Sequence, residues 1–92
     1  MTARELLPTV RDVPDLAKVV GCNVRAERAR KTWIQAELAR RLGWTIGIVS
    51  ETENAKRQIT LNDVPALCRA LGVPFSELVK GADPEDLDAL GL

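Results

Sequence analysis

Eight cationic side chains fall between positions 25 and 57: Arg25, Arg28, Arg30, Lys31, Arg40, Arg41, Lys56 and Arg57. Four carboxylates oppose them there, Glu27, Glu37, Glu51 and Glu53, leaving the stretch at +4. Such a cluster can hold phosphate even though the whole chain is neutral, with 13 basic and 13 acidic residues. Charge alone fits an ordinary solvated helix surface equally well, so the pattern has to decide. Other chemistry is poorly supplied. The chain has no histidine, which removes the commonest general base and the commonest metal ligand. Cys22 and Cys68 lack further ligands at metal spacing, so no metal site is expected. Their apolar, helix-like surroundings read as two reduced, half-buried thiols of an intracellular protein; a disulfide stays open, because sequence does not give their separation. With no nucleophile–base set and no phosphate-cradling glycine loop, neither an enzyme nor a cofactor is expected.

The decisive pattern surrounds Gly43. Counting from Gln35, Ala39 lies four residues on, Gly43 eight and Val49 fourteen. A small side chain suits two helices that cross closely. Glycine suits a turn through the left-handed region. An apolar residue on the next helix must reach back into the core, where Leu38 and Leu42 complete the inner face. This is the spacing of a tight two-helix unit whose second helix enters the DNA major groove.

The elements that must carry this unit follow from periodicity and punctuation. A first helix is predicted from about Pro14 to Lys31, preceded by Asp12 or Val13, with Leu16, Ala17, Val20 and Val24 at helical spacing. Gly21 inside it reads as a bend. Thr32 to Gln35 has capping-box spacing for a second helix ending at Gly43. Thr45 caps a third helix, about 46–53, although its β-branched run would pass for a strand. Pro65 requires the fourth helix to be capped no earlier than Asn62. Val64, Leu67, Cys68 and Leu71 form its apolar face, and Gly72 ends it. Pro74 opens a fifth helix that closes at Gly81. Asp83-Pro84-Glu85-Asp86 starts a last short helix to about Leu90.

The chain has 92 residues, which argues for one small all-α domain. Residues 1–12 read as a mobile arm or, through Thr2-x-x-Glu5, as one short capped turn. Residues 13–81 form the helical domain, and residues 82–92 an acidic tail. All 13 basic residues precede position 81, so the chain without its last twelve residues is +4, 13 basic against 9 acidic. No apolar run is long enough to span a membrane. Arg4, Glu5 and Pro8 interrupt any signal peptide, so the expected location is the cytoplasm. So short a chain leaves no room for a separate sensor domain.

At 35–39 the sequence reads Gln-Ala-Glu-Leu-Ala, followed by Gly43, Thr45, Val49, Ser50 and Glu53-Asn54; Leu71-Gly72-Val73-Pro74 then leads to Leu78. Over about residues 19–80 this resembles the lambdoid phage repressor and Cro family, or XRE type. Gly43-Trp44-Thr45 and the arginine-rich first helix are similar to actinobacterial members. The resemblance implies an all-α, five-helix bundle with a short extra C-terminal helix. It implies a transcriptional regulator, read as a repressor of phage or plasmid switch or antitoxin-like type. The partner implied is double-stranded DNA, bound by a homodimer at half-sites about one helical turn apart. By position in the family, Gln35, Thr45, Asn54, Lys56 and Arg57 would contact the DNA backbone. Ile46, Gly47, Ser50 and Glu51 would face the bases, and Arg28 with Glu53 would form a structural ion pair.

Several residues depart from the family pattern. Ile46 and Gly47 stand where polar residues are common. Isoleucine cannot donate a hydrogen bond but can touch a thymine methyl, while Ser50 or Glu51 can meet a cytosine amino group. Glu51 can equally repel phosphate. Ala55 replaces a usual loop glycine, Thr52 a core aliphatic and Ile34 a polar cap. Trp33 and Trp44 read as core rather than as DNA-stacking rings, and Ile46 and Ile48 as an exposed edge. Leu87, Leu90 and Leu92 would cap the core or seal a dimer. The alternative is a protein-interaction module on the same scaffold, which the apolar edge of the third helix and the acidic tail would serve.

Overall fold

The computed structural model describes residues 15–92, and six helices account for most of them. They are α1 (Leu16–Arg30), α2 (Gln35–Leu42), α3 (Ile46–Glu53), α4 (Asp63–Leu71), α5 (Phe75–Leu78) and α6 (Pro84–Ala89). The expected arm at 1–12, its Thr2–Glu5 turn and the proposed caps Asp12 and Val13 lie outside the described residues. Asp15 caps α1, its carboxylate accepting the Ala17 N–H at 2.8 Å.

The buried side chains come from every helix through α5: Val20 and Val24, Leu38 and Ala39, Val49, Leu67 and Leu71, and Leu78, with Val79 and Ala82 beyond. Val20 with Val24 and Leu67 with Leu71 recur at the i, i+4 spacing of one helical face, as a single shared core demands. Trp33 and Trp44 pack half-buried against this core. The Arg41 guanidinium lies over the Trp33 ring at 3.9 Å and Arg57 over Trp44 at 5.2 Å.

Gly21 does not interrupt α1, which runs unbroken through it. It is buried where α1 crosses the end of α3, and a Cβ there would lie 2.6 Å from the Thr52 carbonyl oxygen and 2.7 Å from that of Glu53. Its missing side chain sets how closely α1 approaches α3. Thr32 does not cap α2 either. It takes the left-handed region, φ 59°, and its hydroxyl turns back to the Lys31 carbonyl. Ile34 becomes the N-cap and supplies no side-chain hydrogen bond. Three residues suffice to turn the chain out of α1, and the capping-box spacing from Thr32 is incidental.

The fourth helix starts at Asp63, so Pro65 stands at its third position, where no intrahelical N–H bond is required. Its capping box lies just upstream: the Asp63 carboxylate accepts the Thr60 N–H at 2.8 Å and the Asp63 N–H donates to Thr60 Oγ1 at 3.3 Å. Asn23 on α1 donates from its amide to the carbonyls of Leu78 and Lys80, at 2.8 and 2.9 Å, and so ties the end of α5 to α1. In α6, Asp83 accepts from the Glu85 N–H and Pro84 is the first helical residue. Leu87 packs against the core, whereas Leu90 and Leu92 remain half exposed. Cys22 is exposed rather than half-buried, Cys68 is partly buried, and both are free thiols. Burial raises the Cys68 thiol above its ordinary value.

Candidate nucleic-acid interface

The turn between α2 and α3 is built by hydrogen bonding around one glycine. Gly43 sits at φ 72°, its N–H donates to the Arg40 carbonyl, and the Trp44 N–H reaches back to Ala39 at 2.9 Å. This paired closure ends α2 within one residue. Two residues on, Thr45 is extended, and its hydroxyl oxygen accepts the Ile48 N–H at 3.1 Å. That cap starts α3 and overrides the strand preference of Ile46, Ile48 and Val49. Val49 and Thr52 are buried, and the Thr52 hydroxyl donates to the Ile48 carbonyl.

With Val49, Thr52 and Glu53 turned inward, the opposite face of α3 points away from the core. Ile46 is 53% exposed, Gly47 and Glu51 are exposed, and Ser50 is half-buried. Ile48 is half-buried at the margin rather than on the exposed edge. The four residues expected to face bases therefore share one outward stripe of α3.

Behind this stripe α3 is anchored through Glu53, whose side chain has no exposed surface. Arg28 donates to both carboxylate oxygens, from Nε at 2.6 Å and Nη2 at 3.0 Å, and its Nη1 reaches the Trp33 carbonyl at 2.7 Å. The Gln35 amide donates to the same carboxylate at 3.1 Å, and Arg25 lies 3.6 Å away. Burial pushes Glu53 upward, but the hydrogen bonds from Arg28 and Gln35 and the nearby positive charges outweigh it and hold the carboxyl below its usual range. The hydrogen bond to Glu53 in turn raises Arg28. One carboxylate thus joins α1, the start of α2 and the end of α3.

The residues expected to touch the DNA backbone divide into committed and uncommitted groups. Gln35 faces Glu53. Thr45 has its oxygen on the Ile48 N–H. Asn54 accepts from Arg25 Nη2 at 2.8 Å and donates to the Ser50 carbonyl at 2.9 Å. Arg57 donates to Thr52 and Asp63, both at 3.2 Å, and its charge helps to hold Asp63 below its ordinary value against burial, with the Thr60 hydrogen bonds contributing more. Of these five residues, Lys56 is the cation left exposed and without an ion pair. An open cleft of about 310 Å³ runs beside it, lined by Asp15, Ala17 and Lys18 of the α1 start and by Ala55, Lys56, Arg57 and Gln58. Ala55 makes the bend that carries Lys56 there, at φ 56°.

Arg25 and Lys18 reach this region from α1; the sequence put Arg25 only in the basic cluster and did not single out Lys18. Arg25 meets Asn54 across 29 positions, a separation at which no local spacing carries a signal. On the other side of α2, Arg40 and Arg41 are tied to Glu37, and hydrogen bonding from Arg40 lowers that carboxyl to about 2. Among the described residues no group of histidine, cysteine or carboxylate side chains could hold a metal ion, and no helix is long and apolar enough to cross a membrane.

Residues 19–80 match the helix-turn-helix domain family. The chain is similar to a hypothetical transcription factor of Neisseria meningitidis, 37% identical over 68 residues. That match takes in 74% of this chain and 64% of the relative, so the chain spans less than two thirds of the relative's length. Among solved structures, the clp gene regulator ClgR of Corynebacterium glutamicum superposes with a TM-score of 0.70 at 26% identity, covering 85% of this chain and 84% of that one. The restriction-modification controller protein C.AhdI of Aeromonas hydrophila gives 0.64 at 27% identity, over 67% and 94% of the two chains.

Proposed function

The chain belongs to the helix-turn-helix domain family, and we propose that it is a DNA-binding transcriptional regulator, a repressor, that lays α3 in the major groove. The observation that carries this reading is the outward stripe of Ile46, Gly47, Ser50 and Glu51, bordered by Lys56 and its cleft. Bases would meet the stripe, and phosphates would meet Lys56 and the Thr45 hydroxyl. The start of α2 has no side-chain cap, and a phosphate oxygen would fill that place against its free N–H groups. Gln35, Asn54 and Arg57 act mainly by bracing, since their donors already face Glu53, the Ser50 carbonyl, Thr52 and Asp63. Two copies would bind half-sites about one helical turn apart, in the cytoplasm, and the work is binding rather than catalysis.

The test is the salt dependence of duplex binding. Each phosphate neutralised releases counterion, so Lys56→Ala should flatten the slope of log K against log salt by about one. An unchanged slope would remove Lys56 from the interface. A second reading rests on Ile34 and Ile46, which are 70% and 53% exposed at the starts of α2 and α3. These side chains would suit an apolar groove on a protein partner. That reading holds if Ile46→Ser abolishes activity while Lys56→Ala and duplex DNA have no effect.

A further inference from the structure

The outward stripe of α3 offers no free cationic or amide donor. Ile46 and Gly47 lead it, and Ser50 and Glu51 follow one turn later. Asn54 closes the stripe with its amide engaged at both ends, by Arg25 on one side and by the Ser50 carbonyl on the other. In the major groove guanine is read by the paired donors of arginine or lysine, and adenine by the two-sided amide of asparagine or glutamine. The stripe provides neither. It provides an exposed aliphatic side chain, a gap and an acceptor. The gap is Gly47, where an added Cβ would find only Thr45 Oγ1, at 3.8 Å. The acceptor is Glu51, exposed and without an ion-pair partner among the described residues. A carboxylate is repelled by phosphate, so its favourable place on DNA is over an exocyclic amino group.

We infer that the protein recognises its site through a methyl group rather than through guanine. Ile46 packs on the C5-methyl of a thymine, the missing side chain at Gly47 lets that base edge come close to the helix, and Glu51 accepts from the amino group of a nearby cytosine. Ile46 and Glu51 are then the specificity-determining residues. This inference rests on the regulator reading above and adds the chemistry of the site that is read.

The full-length protein is first used to select duplexes from a random pool. Each thymine of the selected site is then replaced singly by deoxyuridine, which removes only the methyl group. The expected result is one thymine per half-site where replacement weakens binding about fourfold, the factor that one buried methyl carries. Ile46→Ala, an exposed position at which folding is retained, should bind the thymine and deoxyuridine duplexes alike. Glu51→Ala should relax the choice of cytosine beside that thymine. A selected site that tolerates deoxyuridine at every thymine would overturn the methyl reading and leave the regulator reading standing. So would an Ile46→Ala protein that keeps the fourfold preference. Failure to select any site would overturn the regulator reading itself, and the methyl reading with it.

Discussion

Glu53 shows how much of the unit rests on a single side chain. It accepts from Arg28 and Gln35 while fully enclosed, so removing it leaves a half-buried guanidinium with only the Trp33 carbonyl. Glu53→Ala should cost about 3–5 kcal/mol of unfolding free energy, read by urea titration at neutral pH. The pH dependence has a definite sign. The folded carboxyl titrates below its unfolded value, so the unfolded chain binds the proton more readily as acid is added. The contribution is therefore present above the unfolded value, about 4.3, and is lost as pH falls through the folded one. Urea midpoints measured from pH 7 to pH 3 should fall less steeply in Glu53→Gln than in the parent. Ala55 gives the opposite kind of prediction. It holds φ 56° at a bend that glycine would make without strain. Ala55→Gly should raise stability by about 0.5–1 kcal/mol, the relief of the left-handed backbone less the entropy glycine adds to the unfolded chain. A lower urea midpoint would contradict it. Both positions were marked in the sequence by type and neighbourhood. The engagement of Asn54 by Arg25 was not, because it depends on how α1 lies across α3.

Among the helices, the crossing of α1 and α3 fixes the height of the outward stripe above the core. Gly21 makes that crossing possible, with the carbonyls of Thr52 and Glu53 where its side chain would be. Those are backbone atoms and cannot swing aside, so Gly21→Ala should destabilise by about 3 kcal/mol, at the upper end for overpacking. It should weaken DNA binding even where the protein is still folded. A variant of wild-type melting temperature would show that the crossing is looser than described. Most elements were legible because their signals are local. Gly43 and Ala39 announce the turn, Pro65 limits the start of α4, and Asp83-Pro84 starts α6. The third helix was legible only through its context, since Ile46, Ile48 and Val49 favour a strand by themselves. Thr32 was misread, and the close approach at Gly21 was missed, because both act through the third dimension. A glycine at a helix crossing looks like a bend, and a left-handed threonine looks like a cap.

For the molecule as a whole, the uneven placement of charge is the property most open to test. Thirteen cations precede the last twelve residues, which hold four carboxylates and no cation. If those carboxylates offset the field of the basic surface, Asp86→Asn with Asp88→Asn should tighten binding to nonspecific duplex at 50 mM salt, with the gain fading at 200 mM as screening shortens. Deleting the segment is the less clean test, because Leu87 packs against the core. Unchanged affinity would make α6 a structural cover only. The most direct single measurement is selection of duplexes from a random pool by the intact protein, with affinity for the winners compared at 50 and 200 mM salt. A short palindromic site, bound with affinity that falls steeply with salt, is the predicted result, and its half-site spacing would report the dimer. Absence of duplex binding at both salt concentrations would contradict the regulator reading and leave the exposed isoleucines to a protein partner.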